Sequence, residues 1–81
     1  ILLCGSSHGM CIAANKTKGI RAVSVNNVKD AKLTRLHNDA NVLCLSGWNT
    51  SRRKSIKILK TWLNTNFSNE ERHKRRIAKI K

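Results

Sequence analysis

The segment Cys4-Gly5-Ser6-Ser7-His8-Gly9 holds a thiol, two hydroxyls and an imidazole among small residues. Ahead of it Ile1-Leu2-Leu3 is apolar, and behind it Met10, Ile12, Ala13 and Ala14 can line one side of a short helix. That is the pattern of a buried strand breaking into a turn that opens a helix. A thiol at such a strand end lies near backbone N–H groups and the positive end of a helix dipole, a setting that favours an ionised sulfur. Cys4 is therefore a candidate base or nucleophile, and the N–H groups of the turn can hold a developing oxyanion. The same spacing also suits a structural cysteine on an apolar strand. The glycine spacing matches neither a Walker loop nor a dinucleotide fingerprint.

Two further groups carry chemistry. His37-Asn38-Asp39 falls where a second helix ends, a place where a lone histidine is commonly a surface residue stabilised by the helix dipole. Arg72 and Arg76 stand four residues apart on one face of the last helix and can clamp a phosphate between them. Read on its own, Glu70-Glu71-Arg72-His73-Lys74-Arg75-Arg76 is a solvated charged helix. His8 has no second imidazole or acid at ligand spacing, so no metal site is expected.

These residues need a scaffold, and hydrophobic periodicity outlines one. Ile20 to Val25 is β-branched and bounded by Asn26-Asn27; Asn41 to Leu45 is a third strand closed by Ser46-Gly47. Asn27 caps a helix running to about His37, with Val28, Ala31, Leu33 and Leu36 expected inward. From Ser51 to Phe67, Ile56, Leu59, Trp62 and Leu63 fall at helical spacing with the cations mostly outside. Glu70 to Lys81 forms the last helix, with Ile77 and Ile80 as its apolar contacts. The order β-α-β-α-β-α-α predicts a parallel sheet with helices on its faces. Right-handed crossovers then gather the loops Gly5–Gly9, Asn26–Asn27 and Ser46–Thr50 at one edge of the sheet, where a ligand site belongs.

Composition narrows the classes. Seventeen Lys and Arg against four Asp and Glu give a net charge of +13, while 40% of residues are hydrophobic. A chain of this size is one domain at most and buries only about 60% of its unfolded surface. No apolar run approaches the roughly 18 residues of a membrane-spanning helix, and Ile1-Leu2-Leu3-Cys4 is too short for a signal peptide. Three cysteines without a C-x-x-C pair argue for a reducing, cytoplasmic setting. Nine Asn and no Pro suggest a Lys/Asn-biased composition, which raises the basic count without a functional cause. The cations are not interleaved with aromatics as in a stacking platform, which argues against nucleic acid. A small basic nucleic-acid-binding protein stays open as the reading from a different class. An opening inside an apolar run reads as a chain cut from something longer.

Taken in order, Ile1-Leu2-Leu3-Cys4-Gly5, Ile12-Ala13-Ala14-Asn15-Lys16, Gly19-Ile20-Arg21-Ala22-Val23, Arg35-Leu36-His37-Asn38-Asp39, Asn41-Val42-Leu43 and Arg72-His73 resemble type B ribose-5-phosphate isomerases. These belong to the wider family that includes the galactose-6-phosphate isomerase subunits. The resemblance runs over essentially the whole chain and implies a three-layer α/β/α sandwich with a parallel, Rossmann-like sheet, of which residues 1–81 are the C-terminal portion. The absent N-terminal half would carry the first strands and an Asp-His pair that touches substrate.

The implied activity interconverts ribose 5-phosphate and ribulose 5-phosphate through a cis-enediolate, a step of the pentose phosphate pathway. A homodimer, or a dimer of dimers, is implied, with the site at the subunit interface. By this resemblance Cys4 is the base, and the turn containing Gly5, Ser6, Ser7 and Gly9 holds the enediolate oxygen, with the Ser6 hydroxyl among the catalytic groups. His37, brought from the partner subunit, opens the furanose ring; Asn38 contacts the sugar; Arg72 and Arg76 bind the phosphate. No metal or organic cofactor is implied.

Two positions depart from the family pattern. Ser7 stands where a glycine is usual and is expected to crowd the backbone against the ligand. Trp48 stands where an arginine is usual, leaving Arg52 or Arg53 to assist with phosphate. These departures leave room for an isomerase of a six-carbon sugar phosphate or for a non-catalytic subunit. The chain alone is expected to be inactive and marginally stable.

Overall fold

The three short apolar runs become three parallel strands in the computed structural model, which describes residues 1–80. In chain order the elements are β1 (Leu2–Cys4), α1 (His8–Asn15), β2 (Ala22–Ser24), α2 (Val28–Asn38), β3 (Val42–Ser46), α3 (Arg52–Leu63) and α4 (Glu71–Ala78). The β-α-β-α-β-α-α order is as the periodicity predicts. Boundaries shift by a few residues, and Lys81, expected in the last helix, lies outside the described residues.

β3 is the middle strand of the order β1-β3-β2. Its register sets Leu2 against Cys44 and Cys4 against Ser46 on one side, and Ala22 against Val42 and Ser24 against Cys44 on the other. Because side chains alternate between faces, Leu2, Cys4, Ala22, Ser24, Cys44 and Ser46 share one face, and α1 packs there against all three strands. Val23, Val25, Leu43 and Leu45 point to the opposite face. There they join Ala31 of α2, Ala40, and Ile58 and Trp62 of α3 in the hydrophobic core. The result is three layers, with α1 below the sheet and α2 and α3 packed together above it.

Local chemistry fixes the helix starts. The Asn27 side chain accepts from the Asp30 N–H at 2.8 Å, and the Ser51 hydroxyl accepts from the Lys54 N–H at 3.2 Å. Both satisfy an N–H that the first helical turn leaves without a partner. α2 stops at Asp39, a left-handed residue with φ 48°. Arg21 holds that turn, donating to the Asp39 backbone oxygen at 2.9 Å and pairing with its carboxylate at 3.3 Å.

The apolar face of α3 differs from expectation. Ile56 and Leu63 are exposed, while Ile58 and Trp62, one helical turn apart, carry the core with Leu59 packed beside them. The choice is settled by Arg35 of α2. Its guanidinium lies 4.3 Å over the Trp62 ring and donates to the Thr65 and Ala40 carbonyls at 3.0 and 2.6 Å, so Trp62 must face α2. Val28, also expected inward, is exposed at the start of α2.

This orientation has a measurable consequence. Ile58→Ala should cost about 2–5 kcal/mol of stability, enough to abolish a cooperative urea transition in a small domain. Ile56→Ala, two positions away on the exposed side, should stay within about 1 kcal/mol. Equal effects of the two substitutions would contradict the assigned face.

Candidate active site

The turn between β1 and α1 is Gly5-Ser6-Ser7, since α1 already begins at His8. Gly9, expected in this loop, lies instead in the first turn of α1, where a Cβ would meet nothing within 4 Å. The turn is fastened to the end of β3 by three hydrogen bonds, and a fourth orients the serine that makes one of them. Gly47 N–H donates to the Cys4 carbonyl at 2.8 Å, and Trp48 N–H donates to the Gly5 carbonyl at 3.1 Å. The buried Ser46 hydroxyl also donates to the Gly5 carbonyl, at 2.5 Å, while accepting from the Asn49 N–H at 3.0 Å. Cys4 is thus held partly exposed at the C-terminal edge of the sheet, beside backbone whose position is fixed on both sides.

Ser7 does not crowd this turn. It adopts φ 72°, the left-handed region that glycine occupies without cost, and its side chain is buried, hydrogen-bonded to the Ser24 hydroxyl on β2. The added hydroxymethyl group is directed to the neighbouring strand, and the hydrogen bond offsets the backbone strain. Trp48 is 81% exposed. Its ring lies so close to Gly5 that a Cβ there would come within 2.5 Å of it, which explains the glycine at position 5.

The second cluster forms where α2 ends. α2 leaves the C-terminal ends of the strands and runs back, so His37 and Asn38 sit at the opposite end of the sheet from Cys4. There α4 meets α2, and His37, Asn38, His73, Arg76, Ile77 and Ile80 line an open pocket of about 230 Å³. His73, Arg76, Ile77 and Ile80 recur at helical spacing, so one stripe of α4 faces the pocket. Arg72 lies beside that stripe, exposed and paired with Glu70 at 3.5 Å. Of the two arginines expected to act together, only Arg76 lines this pocket.

His73 is the member that sequence reasoning did not select. It is 3% exposed, its Nδ1 lies 2.9 Å from the Ser68 hydroxyl and 3.3 Å from Glu70 Oε2, and its ring centroid is 4.4 Å from that of His37. Burial lowers its pKa below 6.5, and His37, Arg72 and Arg76 add to the effect while Glu70 opposes it. The available signal was its i, i+4, i+7 relation to Ile77 and Ile80, masked by the charges on either side.

On the α1 face of the sheet the three thiols approach one another. Burial, reinforced by Cys11 and Cys4, pushes the Cys44 thiol up to about 11. Among the described residues, no group of three or more His, Cys, Asp or Glu side chains is placed to hold a metal ion, and no helix is long and apolar enough to cross a membrane.

Two solution tests follow from these environments. Alkylation at neutral pH should modify the partly exposed Cys4 and Cys11 while Cys44 reacts only after denaturation, because the thiolate is the reactive form; mass spectrometry of labelled peptides reads this directly. His73 binds its proton less readily folded than unfolded. The unfolded chain therefore takes up the proton first as pH falls through about 6.5, and stability should drop below that value. Thermal melts between pH 7.5 and 5 should show this slope, and His73→Phe should flatten it.

Comparison with known proteins identifies the family. The profile of the Ribose/Galactose Isomerase family matches residues 1–80. A probable ribose-5-phosphate isomerase B of Mycoplasma genitalium is 49% identical over 80 residues, covering 99% of this chain and 52% of that protein. The solved ribose-5-phosphate isomerase B of that organism, with bound ribulose-5-phosphate, superposes with a TM-score of 0.94 at 48% identity, over 98% of this chain and 51% of that one. The type B ribose 5-phosphate isomerase of Trypanosoma brucei gives a TM-score of 0.96 at 47% identity, over 98% of this chain and 53% of that one. The chain spans about half the length of these relatives. Residues 1–80 carry the family's sequence and its fold with it, and the chain belongs to the ribose/galactose isomerase family.

Proposed function

We propose that the chain is the C-terminal half of a sugar-phosphate isomerase that interconverts ribose 5-phosphate and ribulose 5-phosphate. The observation that carries this reading is the separation of two complementary clusters. A partly exposed thiol on a pinned turn lies at one end of the sheet, and an imidazole, an amide and a guanidinium lie around a pocket at the other. One copy cannot bring them onto a single substrate, whereas a homodimer that apposes opposite ends can. The bound ribulose-5-phosphate in the 48% identical relative supports a phosphorylated pentose as the ligand.

In this reading the Cys4 thiolate removes the C2 proton of the open-chain aldose. The electron pair moves into an enediolate, a proton passes from the C2 hydroxyl to the C1 oxygen, and the carbon-bound proton, or one from solvent, returns to C1 to give the ketose. Negative charge develops on the former carbonyl oxygen. It is met by the N–H groups at the start of α1 and by the Ser6 hydroxyl, on backbone that Ser46, Gly47 and Trp48 hold in place. Gly5 admits the close approach, and Ser7 supports the turn from below through Ser24. His37 of the partner exchanges a proton with the ring oxygen to open the furanose, and Asn38 beside it contacts the sugar. Arg76, with Arg72 once its pairing to Glu70 is exchanged for a dianion, binds the phosphate.

The test is turnover of ribose 5-phosphate by the full-length protein. Cys4→Ala should reduce kcat by at least about a thousandfold with KM little changed, since the base acts on the reacting carbon and not on binding. Arg76→Ala should chiefly raise KM. A Cys4→Ala enzyme with near-normal kcat would remove the assigned base. Absence of turnover in the folded parent would shift attention to Trp48 and a six-carbon sugar phosphate.

A further inference from the structure

Between the proposed ring-opening histidine and the rest of the fold stands one buried polar side chain to which the reaction assigns nothing. His73 is enclosed by Phe67, His37 and the first turn of α4. Buried imidazoles need partners for their nitrogens, and His73 has them at Nδ1, where Ser68 Oγ is 2.9 Å and Glu70 Oε2 3.3 Å away. A carboxylate only accepts, so Glu70 favours the tautomer with the hydrogen on Nδ1. Ser68 is itself anchored: its N–H donates to the Leu36 carbonyl at 3.2 Å, and its hydroxyl accepts from the Glu70 N–H at 3.3 Å. The chain thus runs from the backbone of α2, one residue before His37, through Ser68 to His73, and returns to the His37 ring at 4.4 Å.

We propose that His73, fixed by Ser68, is a positioning residue that holds the His37 imidazole in place for proton exchange with the sugar ring. This rests on the isomerase reading above. His37 is exposed, and its ring lies against that of His73. The His73 ring, tilted 36° to that of His37 with centroids 4.4 Å apart, confines His37 on that side. The charged groups that face His73 are Glu70, Arg72 and Arg76 on α4 and His37 on α2. Burial, His37, Arg72 and Arg76 disfavour a proton on His73, while Glu70 favours one. Precise placement is where such a contact acts, because small displacements of a catalytic group cost about a hundredfold in rate.

The experiment compares Ser68→Ala, His73→Asn and His73→Phe with the parent, as full-length protein. Ser68→Ala and His73→Asn should each lower kcat on ribose 5-phosphate about tenfold or more while KM changes less than twofold. His73→Phe keeps a neutral ring beside His37 and should recover most of kcat. Its kcat should fall with one proton fewer at acid pH than that of the parent, since the position no longer titrates. A purely structural role would lower the melting temperature of Ser68→Ala and His73→Asn while leaving the kcat of the folded enzymes unchanged. Unchanged kcat in folded Ser68→Ala and His73→Asn enzymes would overturn the proposal, and so would a loss confined to KM.

If the folded parent does not turn over ribose 5-phosphate, the isomerase reading fails, and the pairing is decided by NMR of the histidine rings. A His37 ring resonance displaced in both His73→Asn and Ser68→Ala supports the coupling. One that stays in place overturns it.

Discussion

The parallel pairing of β1 with β3 is the constraint on which the rest of the structure depends. β3 is hydrogen-bonded along both edges and covered on both faces, so its five residues have little freedom in register. A slip of one residue would turn Leu43 and Leu45 out of the core and bring Cys44 and Ser46 into it. The pairing also continues past the strand ends. Gly47 and Trp48 donate to the carbonyls of Cys4 and Gly5, so the ladder that aligns the sheet also fixes the turn after β1. Ser46 takes part in both, buried in the strand and bonded to Gly5. The position of the thiol is therefore a consequence of sheet register and not of the turn's own conformational preference.

The second cluster depends on a different kind of contact. α4 is a short, strongly basic helix, and it packs on α2 alone among the elements it touches closely. Little apolar area holds it there: Ile77 is half-buried and Ile80 exposed. The polar chain from Leu36 through Ser68 to His73 supplies direction that hydrophobic contact does not, since hydrogen bonds fix orientation while burial does not. A pocket that combines imidazole, amide and guanidinium is thereby held by a side chain that itself contributes no charge at neutral pH.

The sequence displayed the elements more clearly than the faces. Asn27 and Ser51 announced their helices by composition alone, and both cap them as expected. In α3, however, Ile56, Ile58, Leu59, Trp62 and Leu63 offer two overlapping apolar stripes. Only the cation–π contact of Arg35 with Trp62, between residues far apart in sequence, selects one. Ser7 was legible as a side chain at a glycine position but not as one that turns toward Ser24, because that partner lies across the α1 crossover. His73 was hidden for an electrostatic reason: a helix with a charge at nearly every other position gives no hydropathy contrast by which to recognise its single buried residue. The thiol and imidazole groups could be listed from the sequence. Their separation to opposite ends of the sheet followed from the helix running back along the strands.

The flank of β1 carries the argument furthest toward assembly. Parallel strands are ordinarily covered on both faces, yet at β1, an edge strand among the described residues, Ile1 and Leu3 are 56% and 67% exposed. On the other side of the sheet Ile12 of α1 is exposed as well. These residues form a border of apolar side chains along a strand that also carries Cys4. A chain half the length of its relatives leaves room for further strands on this edge, as the proposed N-terminal half requires. Covering it would lower the dielectric around the thiol and fix the strand that bears it. In the proposed function, completing the sheet and completing the site are then the same event.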